Sequence, residues 1–369
     1  MSIEGKGFFI WKIRSCEKGD PAATARAARA AGFQHVLLKI ADGNVAYNLD
    51  KDTKKDLLPP TVQALRAEGI QVWGWHFVYG FDPIGEANIA VQRVQQLGLE
   101  GYVIDAEEEY KQPGRSAVAK RYLEKLRASL PSLPMALSSF RFPSFHRQLP
   151  WTTFLEYVDY NMPQVYWEQN HNPEPQLRRS VREFQALKPY RPVIPTGPTY
   201  KVGGWRPSKE DTVQFLNAAK SLGSPAVNFF SWDECRRDLP ELWETISAYN
   251  WSPPSAPPAP IADITERLVV ALNTHDLDKV ISLYLPDAVH ITFARAVQGS
   301  QAIRDYYNNL FNQILPSGSF KLTGSTGSGN SRHLTWTATS IKGSIHNGSD
   351  SIGLLDGKIA YHYSHYSVS

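Results

Sequence analysis

Two hydrophobic periods alternate along the first 250 or so residues. Short apolar, β-rich runs recur at 8–13, 35–40, 71–78, 101–107, 135–140, 160–167, 191–196 and 226–232. Runs of this length with few interruptions mark strands covered on both faces. Between them apolar residues return every three to four positions, which predicts helices over 21–32, 59–69, 86–98, 116–130, 175–187 and 209–223. Gly32, Gly69, Gly98 and Gly223 stand where such helices stop. Eight strands alternating with helices over about 250 residues predict an α/β fold, a (β/α)8 TIM barrel. A doubly wound open sheet is the alternative, disfavoured because no glycine-rich phosphate loop follows the first strand.

The pattern breaks at 251–262, WSPPSAPPAPIA, which holds prolines at 253, 254, 257, 258 and 260. Such a run favours an extended, semi-rigid spacer. Beyond it, 263–285 reads as an amphipathic helix and a short second one, and another helix starts near Gly299. Four β-rich segments follow, at 320–328, 332–341, 346–356 and 357–368. Helices ahead of a sheet predict an α+β module. The expected organisation is therefore a barrel over 1–250, a linker over 251–262 and a second domain over 263–369.

Charge and composition narrow the chemistry. The net charge is +3, and 263–369 is neutral, with 8 acidic and 8 basic residues. No nucleic-acid-sized basic surface is expected. Two cysteines, Cys16 and Cys235, are too few for a disulfide framework or a structural zinc site. No cofactor, metal or membrane partner is implied. The start, MSIEGKGFFIWKIRSCEKGD, lacks the order of basic, apolar and small residues of a signal peptide. The expected location is cytoplasmic, unless the chain is exported by another route.

The richest chemistry lies at the end of the fourth run, Tyr102-Val-Ile-Asp105-Ala-Glu107. Alternation turns Tyr102, Ile104 and Ala106 towards the helices and Val103, Asp105 and Glu107 into the barrel. Two carboxylates on one face, two residues apart, suit acid/base work, because each raises the other's pKa. Lys39 is inward by the same parity and needs a carboxylate partner, with Asp105 the candidate. Trp75, Tyr166 and Trp232 stand near strand ends. With Gln164 they suit a sugar, whose apolar faces stack on rings and whose hydroxyls need polar partners.

These residues carry a family resemblance. Val36-Leu-Leu-Lys39-Ile-Ala-Asp42-Gly43, then Gly74-Trp75-His76-Phe77, then Asp105-Ala-Glu107 resemble, in order and place, motifs of the family 25 glycoside hydrolases of lysozyme type. Met162-Pro-Gln-Val-Tyr166 and Phe230-Ser-Trp232-Asp233 are similar to features of chitinase-type family 18 barrels. The resemblance implies hydrolysis of a polysaccharide or peptidoglycan-type glycan, with Glu107 as general acid and Asp105 as its electrostatic partner. Family 25 also places an Asp on strand one; here that strand reads Phe9-Ile-Trp11-Lys12-Ile13. Asp233 is then the candidate to position water or stabilise the sugar cation. The rival reading is a carbohydrate-binding or scaffolding protein on a degenerate barrel.

Residues 263–369 resemble the SnoaL branch of the nuclear transport factor 2 (NTF2) fold. The likenesses are Asn273-x-His-Asp276-x-Asp278, Pro286-Asp-Ala-Val289, Gly299-x-x-Ala-Ile-Arg304-x-Tyr306 and Asp356-Gly-Lys-Ile359. That fold serves isomerases and plain dimerisation modules alike. An accessory binding or dimerisation domain, pairing two copies through 263–369, is expected. His290, Asp350, His362 and Tyr363 are the polar residues such a curled sheet would enclose.

Overall fold

Strands form in the first unit where apolar, β-branched and aromatic residues run with few polar interruptions, largely buried on both faces. The computed structural model of the protein describes every residue except Met1, Lys51, residues 252–261, Ser328 and Asp356. It has eight parallel strands: β1 (Gly5–Ile10), β2 (His35–Asp42), β3 (Gln71–Val78), β4 (Gly101–Ala106), β5 (Met135–Phe140), β6 (Tyr160–Gln164), β7 (Thr196–Pro198) and β8 (Ala226–Phe230). β1 pairs with both β2 and β8, which closes the barrel. A two-residue strand, Val45–Ala46, folds back antiparallel on the end of β2.

Around the barrel run α1 (Pro21–Ala30), α2 (Leu58–Ala67), α3 (Pro83–Leu97), α4 (Arg115–Ser129), α5 (Trp151–Tyr157), α6 (Pro173–Gln185), α7 (Lys209–Ser221), α8 (Trp232–Asp238) and α9 (Pro240–Ala248). Polar caps fix where several of them begin. Asp20 accepts from the backbone of Ala22 and Ala23, and Ser208 with Asp211 forms a capping box on α7. Alternation splits the core into two layers. Phe9, Leu37, Trp73, Trp75, Val103 and Met162 fill the barrel. Phe8 turns outward and packs with Phe33, Phe229, Trp232 and Trp243. Buried Lys6 clasps the end of α9, donating to the carbonyls of Ile246, Ser247 and Tyr249, where a cation suits the negative end of the helix dipole.

Several strands are displaced from, or shorter than, the runs that the sequence pattern predicts. β1 spans Gly5–Ile10 instead of 8–13, and β6 stops at Gln164 and β8 at Phe230. The seventh strand, expected at 191–196, is the three-residue β7, preceded by one isolated bridge from Val193 to Asn161. Pro192 and Pro195 lack the N–H groups that a longer ladder would need.

The chain divides into two compact units, Met1–Pro258 and Ala259–Ser369. Of the proline-rich segment at 251–262, only Trp251 and Ala262 are among the described residues. The second unit contains α10 (Ile264–Asn273), α11 (Leu277–Ile281) and α12 (Ser300–Asn309). Its strands are β9 (Tyr284–Thr292), β10 (Ala296–Gln298), β11 (Ser319–Thr326), β12 (Ser331–Ser340), β13 (Gly343–Leu355) and β14 (Lys358–His365). The sheet order is β10-β9-β14-β13-β12-β11. All neighbours are antiparallel except β9 and β14, which the helix-containing connection brings together in parallel. The helices pack their apolar faces on the sheet around Leu268, Tyr307, Phe311, Trp336 and Ile352. Among the described residues no helix is long and apolar enough to cross a membrane.

Candidate functional site

The C-terminal ends of the barrel strands converge on a carboxylate pair. Asp105 is the penultimate residue of β4, and Glu107 follows the strand at the start of the next loop. Gln164, at the end of β6, donates its side-chain N–H to both: 3.0 Å to Asp105 Oδ1 and 2.8 Å to Glu107 Oε1. Ser138 on β5 lies 3.4 Å from the same Gln164 nitrogen. One amide group thus ties two acids from a neighbouring part of the barrel. Burial pushes Asp105 well above the usual carboxylate range; the Glu107 charge adds to this, while Lys39 and Ser138 pull the other way. Burial also raises Glu107, opposed by the Gln164 hydrogen bond. Burial and mutual repulsion both favour placing a proton on this pair. Asp105 is only 8% exposed, and Glu107 is the more accessible member.

Lys39 is buried and inward, but its partner is not Asp105. Its ammonium pairs with Asp42 at 2.5 Å, three residues along β2. It also lies against the rings of Tyr47 and Trp75, at 4.5 and 4.8 Å from their centroids. The bend that allows this is a register irregularity between Lys39 and Ala41 against β3. Asp42, which carries no assigned role in the sequence pattern, is thereby a candidate functional-site residue. Tyr79 donates its hydroxyl to Asp42 at 2.8 Å, and that bond is the main cause pushing the Tyr79 phenol up to about 12. The backbone N–H groups of Tyr79 and Gly80 are in turn held by buried Glu86.

The aromatic candidates separate. Tyr166 remains at the mouth, half-buried, edge-on to Tyr200 and tilted against Phe230. Trp75 is corrected from sugar platform to barrel core: it is buried, packs on Phe9, and donates its indole N–H to the Ile10 carbonyl. Trp232 is corrected as well. It opens α8 after the end of β8 and is 0% exposed among Phe8, Phe33 and Trp243, so no substrate reaches it. Asp233 lies in the same first helical turn and accepts from the Ser231 hydroxyl at 3.1 Å. Its charge acts on Cys16 and Tyr47, whereas the partners of the acid pair are Gln164 and Ser138. Asp233 thus sits at the start of α8, bonded to Ser231 and not to the acid pair. Among the described residues no group of His, Cys, Asp and Glu is placed to hold a metal ion.

The second unit encloses a polar cluster of its own. His362 on β14 has Nε2 at 3.0 Å from Asp350 on β13 and Nδ1 at 2.6 Å from the Tyr284 hydroxyl. His290 on β9 stacks on His362 with ring centres 4.4 Å apart and planes 7° apart. Tyr363, expected in the same interior, is 38% exposed: it falls on the opposite face of β14 from His362. Burial holds the His290 pKa down at about 2, and the His362 beside it adds to this. The unfolded chain takes up that proton near pH 6.5. Acidification below pH 6.5 therefore costs the folded unit up to about 1.4 kcal/mol per pH unit from His290. Hydrogen exchange on β9 and β14 of the intact chain should rise between pH 7 and pH 5, after correction for intrinsic rates, and His290→Phe should flatten that rise. Equal acid sensitivity in the variant would remove His290 as the cause.

Residues 265–362 match the family model described as the SnoaL-like domain, and the first unit is a closed barrel of the TIM type. The matched stretch is the second unit almost entire. A candidate isomerase of the SnoaL-like family from Agrobacterium tumefaciens is 21% identical, with 28% of this chain and 94% of that one covered and a TM-score of 0.26. A candidate polyketide cyclase from Sinorhizobium meliloti is 23% identical, with 28% and 94% covered and a TM-score of 0.26. An NTF2-like protein of unknown function from Cytophaga hutchinsonii is 15% identical, with 28% and 87% covered and a TM-score of 0.25. No curated protein matches the chain.

Proposed function

We propose that the first unit is a glycoside hydrolase of the lysozyme-like, family 25 kind, acting on a polysaccharide or peptidoglycan-type glycan. The observation that carries this reading is the pair of buried Asp105 and half-buried Glu107 at the barrel mouth, both bound to one amide of Gln164. Burial and the closeness of the two acids favour a proton on the pair. Glu107, the more accessible member, passes it to the glycosidic oxygen as the bond to the sugar breaks. Asp105 lies beneath, and the negative charge that the pair carries as the proton leaves stabilises the developing oxocarbenium ion. Tyr166 offers a stacking face, and Asp42 with Tyr79 supplies hydrogen-bonding groups across the mouth. The second unit serves as an accessory domain for binding or for pairing two copies.

Lys39 tunes this site from below. Its charge lowers the Asp105 pKa, so Lys39→Met should move the pair's titration to higher pH. The acid and base limbs of the kcat/KM profile should both follow upwards. An unchanged profile at full activity would leave Lys39 a merely structural cation of the Asp42 pair. The reading as a whole is tested by incubating the intact protein with peptidoglycan and with polysaccharides and assaying new reducing ends.

A further inference from the structure

One side of the barrel mouth gathers cations on phenyl rings. Lys111 lies over Phe140 at 4.3 Å from the ring centre, and Arg179 over Phe142 at 4.1 Å. Both have acid partners: Lys111 pairs with Glu108 at 2.6 Å and Arg179 with Glu183 at 2.8 Å. Arg141 does not. It follows Phe140, the last residue of β5, which pairs in register with Gln164. Its guanidinium stands over Phe142 at 5.1 Å. Among the described residues it makes no ion pair and donates no hydrogen bond, though it is half-buried. Burial lowers its pKa, and the charges that act on it are those of Glu168, Tyr200 and Arg179. The Glu168 carboxylate is itself engaged by the Tyr200 hydroxyl, and Tyr200 packs edge-on to Tyr166 at the acid pair. A guanidinium with five donors, partly withdrawn from water and left unmatched, is costly unless something else fills its fork.

We propose that Arg141 receives a carboxylate carried by the glycan, so that the first unit acts on acidic sugars. The proposal rests on the glycosidase reading above and names its substrate class. A planar guanidinium takes a carboxylate through two parallel N–H···O bonds, and the rings beside it leave little water to compete. The neighbouring cations Lys111 and Arg179 are engaged by their own acids, whereas Arg141 feels the Glu168 charge without bonding to it and, among the described residues, keeps its donors free.

The test uses the full chain and immobilised oligogalacturonate, hyaluronan fragments and peptidoglycan strands, each in native and methyl-esterified form. Esterification removes the carboxylate charge and leaves the rings. At least one native glycan should bind about tenfold or more tighter than its ester, as a charge-assisted bidentate pair requires. Arg141→Met should erase that preference, and Arg141→Lys should keep part of it. Arg206→Met, which removes a surface cation paired with Glu241, should leave it intact. Equal binding of native and esterified glycans, or a preference that survives in Arg141→Met, overturns the proposal alone. Failure to bind any of these glycans in either form overturns the proposal, and only failure to hydrolyse neutral polysaccharides as well removes the glycosidase reading.

Discussion

Glu107→Gln should cut hydrolysis of a natural glycan by about 10²–10⁴, the usual worth of a positioned general acid. The replacement keeps the shape and a hydrogen bond to Gln164 but carries no proton to give. The loss should depend on the leaving group. A dinitrophenyl glycoside departs without protonation, so its turnover should fall far less than that of a sugar–sugar bond. Substrate binding should persist, because the variant leaves Tyr166 and Arg141 in place. Equal losses on both substrates would give Glu107 a role other than proton donor.

The largest stability effect is expected at Trp232. Trp232→Ala should destabilise the first unit by about 3–5 kcal/mol, the range for emptying a large buried aromatic site. The cavity would open among Phe8, Phe33 and Trp243, behind the strands. At temperatures where the variant stays folded, its KM should match the parent's. Tyr166→Ala should do the reverse, raising KM with little change in melting temperature. Urea unfolding of the two variants beside their KM values separates a packing residue from a sugar contact.

That contrast shows what the sequence carried. The inward face of β4 follows from parity alone, since an unbroken strand presents Val103 and Asp105 on one side only, and Glu107 follows directly after its end. The approach of Gln164 was legible as a polar residue among apolar ones near a strand end. Trp232 was misread because the apolar run Ala226–Trp232 passes without a break from strand into helix. Two residues past the strand end, a side chain belongs to a different period, and Trp232 turned to the outer layer. The Lys39 partner was hidden for a related reason. Residues three apart do not share a face of a regular strand, and only the irregularity after Lys39 brings Asp42 within reach. The parallel pairing of β9 with β14 depends on contacts about 70 residues apart, which local patterning does not encode. Arg141 gave no signal, because an arginine after a strand reads as surface until its missing partner is seen.

The central claim is that the Asp105–Glu107 pair cleaves a glycan by acid catalysis. The most direct measurement is the release of new reducing ends from peptidoglycan and acidic polysaccharides by the intact wild-type chain, followed across pH beside Glu107→Gln. The wild type should release new reducing ends and the variant should not. Wild-type activity should also fall at high pH, where the proton leaves the pair. Tight glycan binding without any new reducing ends from the wild type would contradict it and make the barrel a carbohydrate-binding scaffold.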